Sequence, residues 1–212
     1  MAEEPAPRDR RPRPTLVLAS GSPRRRELLE RIGLSPLVRP ADLDESPLPG
    51  EPADELVLRL ASAKAAASAT LPSAGDDEVV LAADTEVVLA GRALGKPADR
   101  AEADAMLTAL AGRTHEVMTG LAVRRGSRVV TERVVTTVTF RPLTPDEVAW
   151  YLATGEPRDK AGAYALQGAG AVLVERVDGS DTNVIGLPLP AAVALLRQVG
   201  FEAFPAAARE RH

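Results

Sequence analysis

An apolar run over residues 15–19 passes without slack through Ser20-Gly21-Ser22 into Pro23, and this junction constrains the fold more than any other stretch. The run reads as a buried strand. Ser22 is a good N-cap and Pro23 suits the first helical position, so a helix starts there. Leu28, Leu29 and Ile32 give that helix an apolar face, and Gly33 ends it. A helix N-terminus therefore stands at the end of a sheet strand, with unpaired N–H groups and the positive end of the macrodipole. Two hydroxyls, Ser20 and Ser22, and two guanidiniums, Arg24 and Arg25, surround it. Such a run suits an anion, phosphate foremost. An ordinary cap followed by solvated arginines fits the same residues.

The remaining elements follow from periodicity and caps. Residues 52–69 carry Leu56, Leu60, Ala63 and Ala67 at helical spacing. Residues 78–83 read as a second buried strand. Asp99-Arg100-Ala101-Glu102 reads as a capping box opening a helix to about residue 111. Residues 114–124 and 128–141, with Gly126 between them, read as a long hairpin. Thr144-Pro145-Asp146-Glu147 caps a further helix, and residues 188–199 form the last one. The Gly-rich stretch 162–186 is expected to hold short strands. Helices alternate with strands at both ends and a hairpin crosses the middle. The expected class is α/β (α+β), with a mixed rather than a doubly wound parallel sheet. No repeat or linker divides the chain. One domain is expected over residues 15–200, with a disordered tail over residues 1–14 and a C-terminal tail over residues 201–212.

Composition narrows the chemistry. The net charge of -4 and the scarcity of aromatics disfavour a nucleic-acid binder, so no stable nucleic-acid partner is expected. With no cysteine there is neither a disulfide nor a thiol nucleophile. His115 and His212 are the only histidines, which excludes a multi-histidine metal site. A bound metal should be a hard ion on carboxylates and water, such as magnesium or manganese. No apolar run is long enough to span a bilayer, and Met-Ala-Glu-Glu opens no signal-peptide core, so the expected location is cytoplasmic.

Several residues beyond the first run are candidates for a site. Asp84 ends the apolar strand, where α/β proteins place catalytic acids and metal ligands; a turn aspartate bonding backbone amides is the alternative. Lys96, between Gly95 and Pro97, is a point charge for phosphate or a plain surface lysine. Lys64 falls at the edge of its helix's apolar face, either snorkelling or bordering a cleft. Glu45, near Asp42 and Asp44, is solvated or a metal ligand. In Asp159-Lys160-Ala161-Gly162-Ala163-Tyr164-Ala165-Leu166-Gln167-Gly168, small residues surround a Gln whose amide can read a nucleobase edge, or form a bulged strand. No P-loop or dinucleotide fingerprint is present. A Ser-His-Asp triad would have to use His115, in a strand-like run.

The order of these pieces is more specific than any one of them. Leu18-Ala19-Ser20-Gly21-Ser22-Pro23-Arg24-Arg25, Ala83-Asp84-Thr85, Gly95-Lys96-Pro97, Thr114-His115-Glu116-Val117, the 159–168 stretch and Asn183-Val184-Ile185-Gly186-Leu187-Pro188 together resemble the Maf family of nucleoside triphosphate pyrophosphatases. The resemblance covers about residues 15–200. It implies a two-lobed, inosine-triphosphatase-like α/β fold with a cleft over an elongated mixed sheet. It implies hydrolysis of a nucleoside triphosphate to the monophosphate and pyrophosphate, a divalent metal, and a homodimer. Arg24, Thr85 and Gln167 match the dTTP/UTP branch rather than the 7-methyl-GTP branch. One departure is Gly179-Ser180-Asp181, where the family often has an aromatic after Gly-Ser.

On this resemblance, Ser20, Ser22, Arg24, Arg25, Lys64 and Lys96 grip the triphosphate. Asp84 orients and deprotonates the water or holds the metal, Glu45 completes the metal site, and Thr85 and Gln167 help select the base. Two rivals are a non-catalytic nucleotide-binding regulator, for instance of cell division, and a nucleic-acid-binding module.

Overall fold

The computed structural model describes residues 14–71, 74, 75 and 77–204. The opening junction forms as its residues demand. β1 (Thr15–Leu18) buries its last three residues, and Ser22 is the N-cap of α1 (Pro23–Arg31). β2 (Leu37–Val38), α2 (Ala53–Ala69), β3 (Glu78–Leu89), β4 (Arg92–Ala93) and α3 (Arg100–Leu110) follow. Then come the hairpin β5 (Thr114–Arg125) and β6 (Arg128–Phe140), α4 (Pro145–Ala153), β7 (Val174–Asp178), α5 (Asp181–Ile185) and α6 (Leu189–Gln198). The box before α4 is complete: Thr144 accepts from the Glu147 N–H and the Glu147 carboxylate accepts from the Thr144 N–H. Before α3 it is offset by one residue, because Glu102 reaches the Ala98 N–H while Asp99 accepts from Glu102.

The sheet runs β2-β1-β3-β5-β6-β7, with β4 against β3. β1 pairs parallel with β2 and β3, and β3, β5, β6 and β7 pair antiparallel. This is the mixed α/β sheet the sequence predicts. The strand expected over residues 78–83 is longer, however. Its ladder with β5 continues through Asp84↔Gly120 and Glu86↔Met118 to Val88↔Glu116. Three polar residues interrupt the apolar run, but the backbone pairing carries the strand past them. Asp84 therefore sits inside a strand rather than at its end.

β3 enters separate packing clusters at its two ends. Val79, Leu81 and Ala83 pack with α1 and α6, whereas Val87 and Leu89 pack with α3, α4 and Phe140. On the opposite face, Val80 and Ala82 pack under Ala61 and Ala65 of α2. Asp84, Thr85 and Glu86 occupy the waist between the clusters. The Gly-rich stretch contains one strand, β7, together with 3-10 turns at Ala161–Ala163 and Ala169–Leu173 and the short helix α5. Gly162, at φ 65°, takes the left-handed backbone that breaks a strand there. Of the two expected tails, Pro14 and residues 201–204 are described; Phe201 and Ala203 are buried in the first core. The remainder lies outside the described residues. Among the described residues no helix is long and apolar enough to cross a membrane.

α2 lies nearly on the sheet. A Cβ on Gly120 would stand 2.2 Å from the Val57 carbonyl oxygen. Helix backbone against strand backbone leaves no room for a methyl group, so Gly120→Ala must push α2 outward. Overpacking of this kind should cost at least about 1–3 kcal/mol. A denaturant midpoint equal to the parent's would refute the close approach.

Candidate active site

A cleft of about 380 Å³ opens at the waist of β3. Ser20, Ser22, Arg24, Arg25, Glu45, Lys64, Asp84, Thr85, Lys96 and Gln167 all line it. The sequence motifs, far apart in the chain, thus meet in one place. Asp181 is exposed and does not line the cleft, so the departure beside Ser180 leaves this wall intact.

The centre is a buried ion pair. Lys64 Nζ donates to Asp84 Oδ1 at 2.6 Å and forms an ion pair with Glu45 Oε1 at 2.9 Å. The buried stripe of α2 is Leu56, Val57, Leu60, Ala61, Lys64, Ala65 and Ser68. Lys64 lies within this stripe, not at its edge as its position round the helix from Leu60 suggests. Asp84 is 6 % exposed, and its second oxygen, Oδ2, is buried with no partner. Two residues on, Glu86 Oε2 is also buried and unpartnered. Burial, then the nearby Asp84 charge, push the Glu86 carboxyl up to about 7; the Gly95 N–H and Lys96 oppose them. Sequence reasoning overlooked Glu86, although a charged residue between Thr85 and Val87 in a buried strand was the available signal.

The first wall is built on Arg25. Its Nε donates to the Gly186 carbonyl at 2.8 Å, one terminal nitrogen to Ser20 Oγ at 3.0 Å and the other to Thr85 Oγ1 at 3.1 Å. Burial lowers its pKa, against the Asp84 charge. Arg25 therefore locks α1, β3 and the turn after α5 together. Thr85 is tied to Arg25 and, at 2.9 Å, to Thr119 Oγ1. Asn183, buried, donates to the Val117 carbonyl at 2.9 Å and to Thr136 Oγ1 at 3.0 Å, fixing the turn that carries Gly186. The Ser22 side chain makes no cap bond to its own helix. Arg24 bonds Asp159 at 3.1 Å across the mouth of the cleft, and Lys160 bonds the same carboxylate.

The second wall carries Gln167 at an exposed position. Its loop is pinned on both sides. The Ala165 N–H donates to Tyr151 Oη at 3.0 Å, and the Gly170 N–H donates to Glu156 at 3.1 Å. Tyr151 and Glu156 were not legible as site residues, since both act through backbone far along the chain. His115 stands apart from any nucleophile. Its Nε2 meets Tyr164 Oη at 2.9 Å, and its ring packs edge-on against Phe140 and Tyr164.

The described residues contain no cluster of three or more His, Asp or Glu able to hold a metal alone. The orphaned oxygens of Asp84 and Glu86 are nonetheless donors of the kind a hard cation takes. Arg24, Arg25, Lys64, Lys96 and Lys160 face Glu45, Asp84, Glu86 and Asp159, a formal net charge of +1 when all four carboxyls are ionised. The side chains alone leave most of a triphosphate's charge unbalanced. The donor set and this deficit both fit a divalent cation bound together with a nucleotide.

Comparison with known proteins agrees with the geometry. Residues 15–199 match the family model described as Maf-like protein. A protein of Anaeromyxobacter sp. (strain Fw109-5) named dTTP/UTP pyrophosphatase is 56% identical over 190 residues, covering 87% of this chain and 89% of its own. Proteins of the same name from Myxococcus xanthus (strain DK1622) and Cereibacter sphaeroides are 54% and 48% identical. These alignments cover 87% and 92% of this chain, and 92% and 100% of the relatives.

Burial holds the His115 imidazole down to about 4, below its ordinary 6.5. The native ring stays neutral where the unfolded ring gains a proton. Its contribution is complete above about pH 6.5 and is lost as pH falls toward 4, roughly 2–4 kcal/mol in all. The stability gap between the parent and His115→Gln should narrow over that window in denaturant titrations. A constant gap from pH 7.5 to 4 would contradict the buried neutral ring.

Proposed function

The chain belongs to the Maf-like protein family, and on that premise we propose that it hydrolyses dTTP and UTP to the nucleoside monophosphate and pyrophosphate. The observation that carries the reading is Asp84, buried in the cleft with one oxygen fixed by Lys64 and the other without a partner. A carboxylate so placed is suited to receive the proton of a water held beside it. The water oxygen forms a bond to the α-phosphorus, the bond to the bridging oxygen breaks, and pyrophosphate leaves. The water's proton goes to Asp84.

Substrate grip falls to the first wall. The helix N-terminus, Ser20, Ser22 and Arg24 present donors to phosphate oxygens, and Lys96 adds a point charge from its loop. Arg25 and Lys64 lie at the same surface, already held by protein partners, so they offer charge without needing to reorganise. Gln167 reads the base edge; Thr85 contributes to selection by fixing Arg25 beneath it. A divalent cation, magnesium or manganese, supplies neutralisation of the phosphate charge when bound. Glu45 and Asp84 are the expected carboxylates for it, and Glu86 joins them as a third candidate. A homodimer in the cytoplasm completes the reading; light scattering tests the dimer.

A nucleotide-binding regulator would use the same walls. The buried, unpartnered oxygen of Asp84 favours the enzyme, because a binder gains nothing from an unsatisfied carboxylate beside the phosphates.

Asp84→Asn should lower pyrophosphate release from dTTP by roughly two to four orders of magnitude while unfolding as the parent does. Turnover near the parent's rate would remove Asp84 from the chemistry. Gln167→Ala should reduce the preference for dTTP and UTP over purine nucleotides, read as a ratio of kcat/KM values. Equal losses on every nucleotide would count against base reading.

A further inference from the structure

Asp84 Oδ2 and Glu86 Oε2 are buried in the cleft wall and meet no donor. Buried polar atoms left this way call for an explanation, a bound ion or a catalytic role foremost. The two residues are separated by one position on β3, so their side chains leave the same face of the strand. Their surroundings differ. Asp84 and Glu45 already share the Lys64 ammonium, at 2.6 and 2.9 Å. A second cation drawn onto that pair would sit against the ammonium, in a setting of low dielectric where like charges repel strongly. Glu86 takes part in none of the ion pairs found among the described residues. The backbone N–H of Gly95, next to Lys96, favours its charged form.

We propose that Glu86 is the carboxylate that anchors the divalent cation, which leaves Asp84 Oδ2 for the proton of the attacking water. The proposal rests on the pyrophosphatase reading of this cleft and divides its two orphaned oxygens between two tasks. A hard cation takes one or two carboxylates and completes its shell with water and phosphate oxygens. The lack of a three-ligand cluster among the described residues agrees with an ion held jointly by protein and nucleotide. Glu86 also lies beside the Gly95-Lys96 loop, so an ion there borders the phosphates that Lys96 attracts.

The test is a Mn²⁺ titration of the full chain with the non-hydrolysable α,β-imido analogue of dTTP, with free Mn²⁺ followed by electron paramagnetic resonance. Glu86→Gln keeps the side chain's shape and an acceptor for the Gly95 N–H. Its Mn²⁺ dissociation constant should rise about tenfold or more, whereas Asp84→Asn should stay close to the parent. Turnover of Glu86→Gln should recover as Mn²⁺ is raised, and that of Asp84→Asn should not. Parent-like Mn²⁺ affinity in Glu86→Gln overturns the proposal, as does loss of Mn²⁺ from Asp84→Asn. A Glu86→Gln variant that weakens metal-free analogue binding and spares Mn²⁺ affinity also overturns it, showing that Glu86 only holds the Lys96 loop. Failure of the pyrophosphatase reading is seen separately, as no pyrophosphate release by the parent from dTTP with Mn²⁺.

Discussion

A buried ion pair between Lys64 and Asp84 ties α2 to the middle of β3, and the cleft is arranged around it. An interior charge is tolerated when it is paired and hydrogen-bonded. Lys64 meets that condition only because α2 lies flat on the sheet, and α2 lies flat because Gly120 carries no side chain opposite Asp84. A glycine that lines no part of the cleft thus decides whether the reactive carboxylate has its partner. Arg25 plays the matching part on the other wall, with three bonds into three segments. The two most constrained cations are committed to protein groups. Arg24 and Lys96, nearer solvent, keep donors for an incoming anion.

The framework was legible where local physics acts alone. The strand-turn-helix at residues 15–31, the box before α4 and the long hairpin each rest on residues a few positions apart, and each forms as read. The site was legible as a set because the motifs are short and ordered, and all of its members reach one cleft. What escaped depends on distant partners. The apolar pattern stops at Ala83, yet β3 continues for six more residues, since its ladder with β5 does not require apolar side chains. Lys64 looked peripheral because a lysine in a buried stripe makes sense only once Asp84 is known to lie opposite. Glu156 and Tyr151 hold backbone N–H groups 14 residues downstream, which no periodicity reveals. Thr85 follows Asp84 in the chain, and its hydrogen bonds to Arg25 and Thr119, which sequence spacing does not reveal, tie it to the guanidinium.

β3, β5 and β6 run unbroken from one packing cluster to the other, over 12, 12 and 13 residues. Among the described residues no break in these strands separates the two packing clusters. A bend at the waist would tear the ladder that joins Asp84 to Gly120 and Glu86 to Met118. The parts of the cleft that lie off the sheet are the acidic loop carrying Glu45, the Gly95-Lys96 turn, and the 3-10 segments whose Asp159 reaches Arg24. The sheet thus acts as a fixed jaw, and an adjustment of the cleft to its occupant falls to these short segments rather than to the floor beneath them.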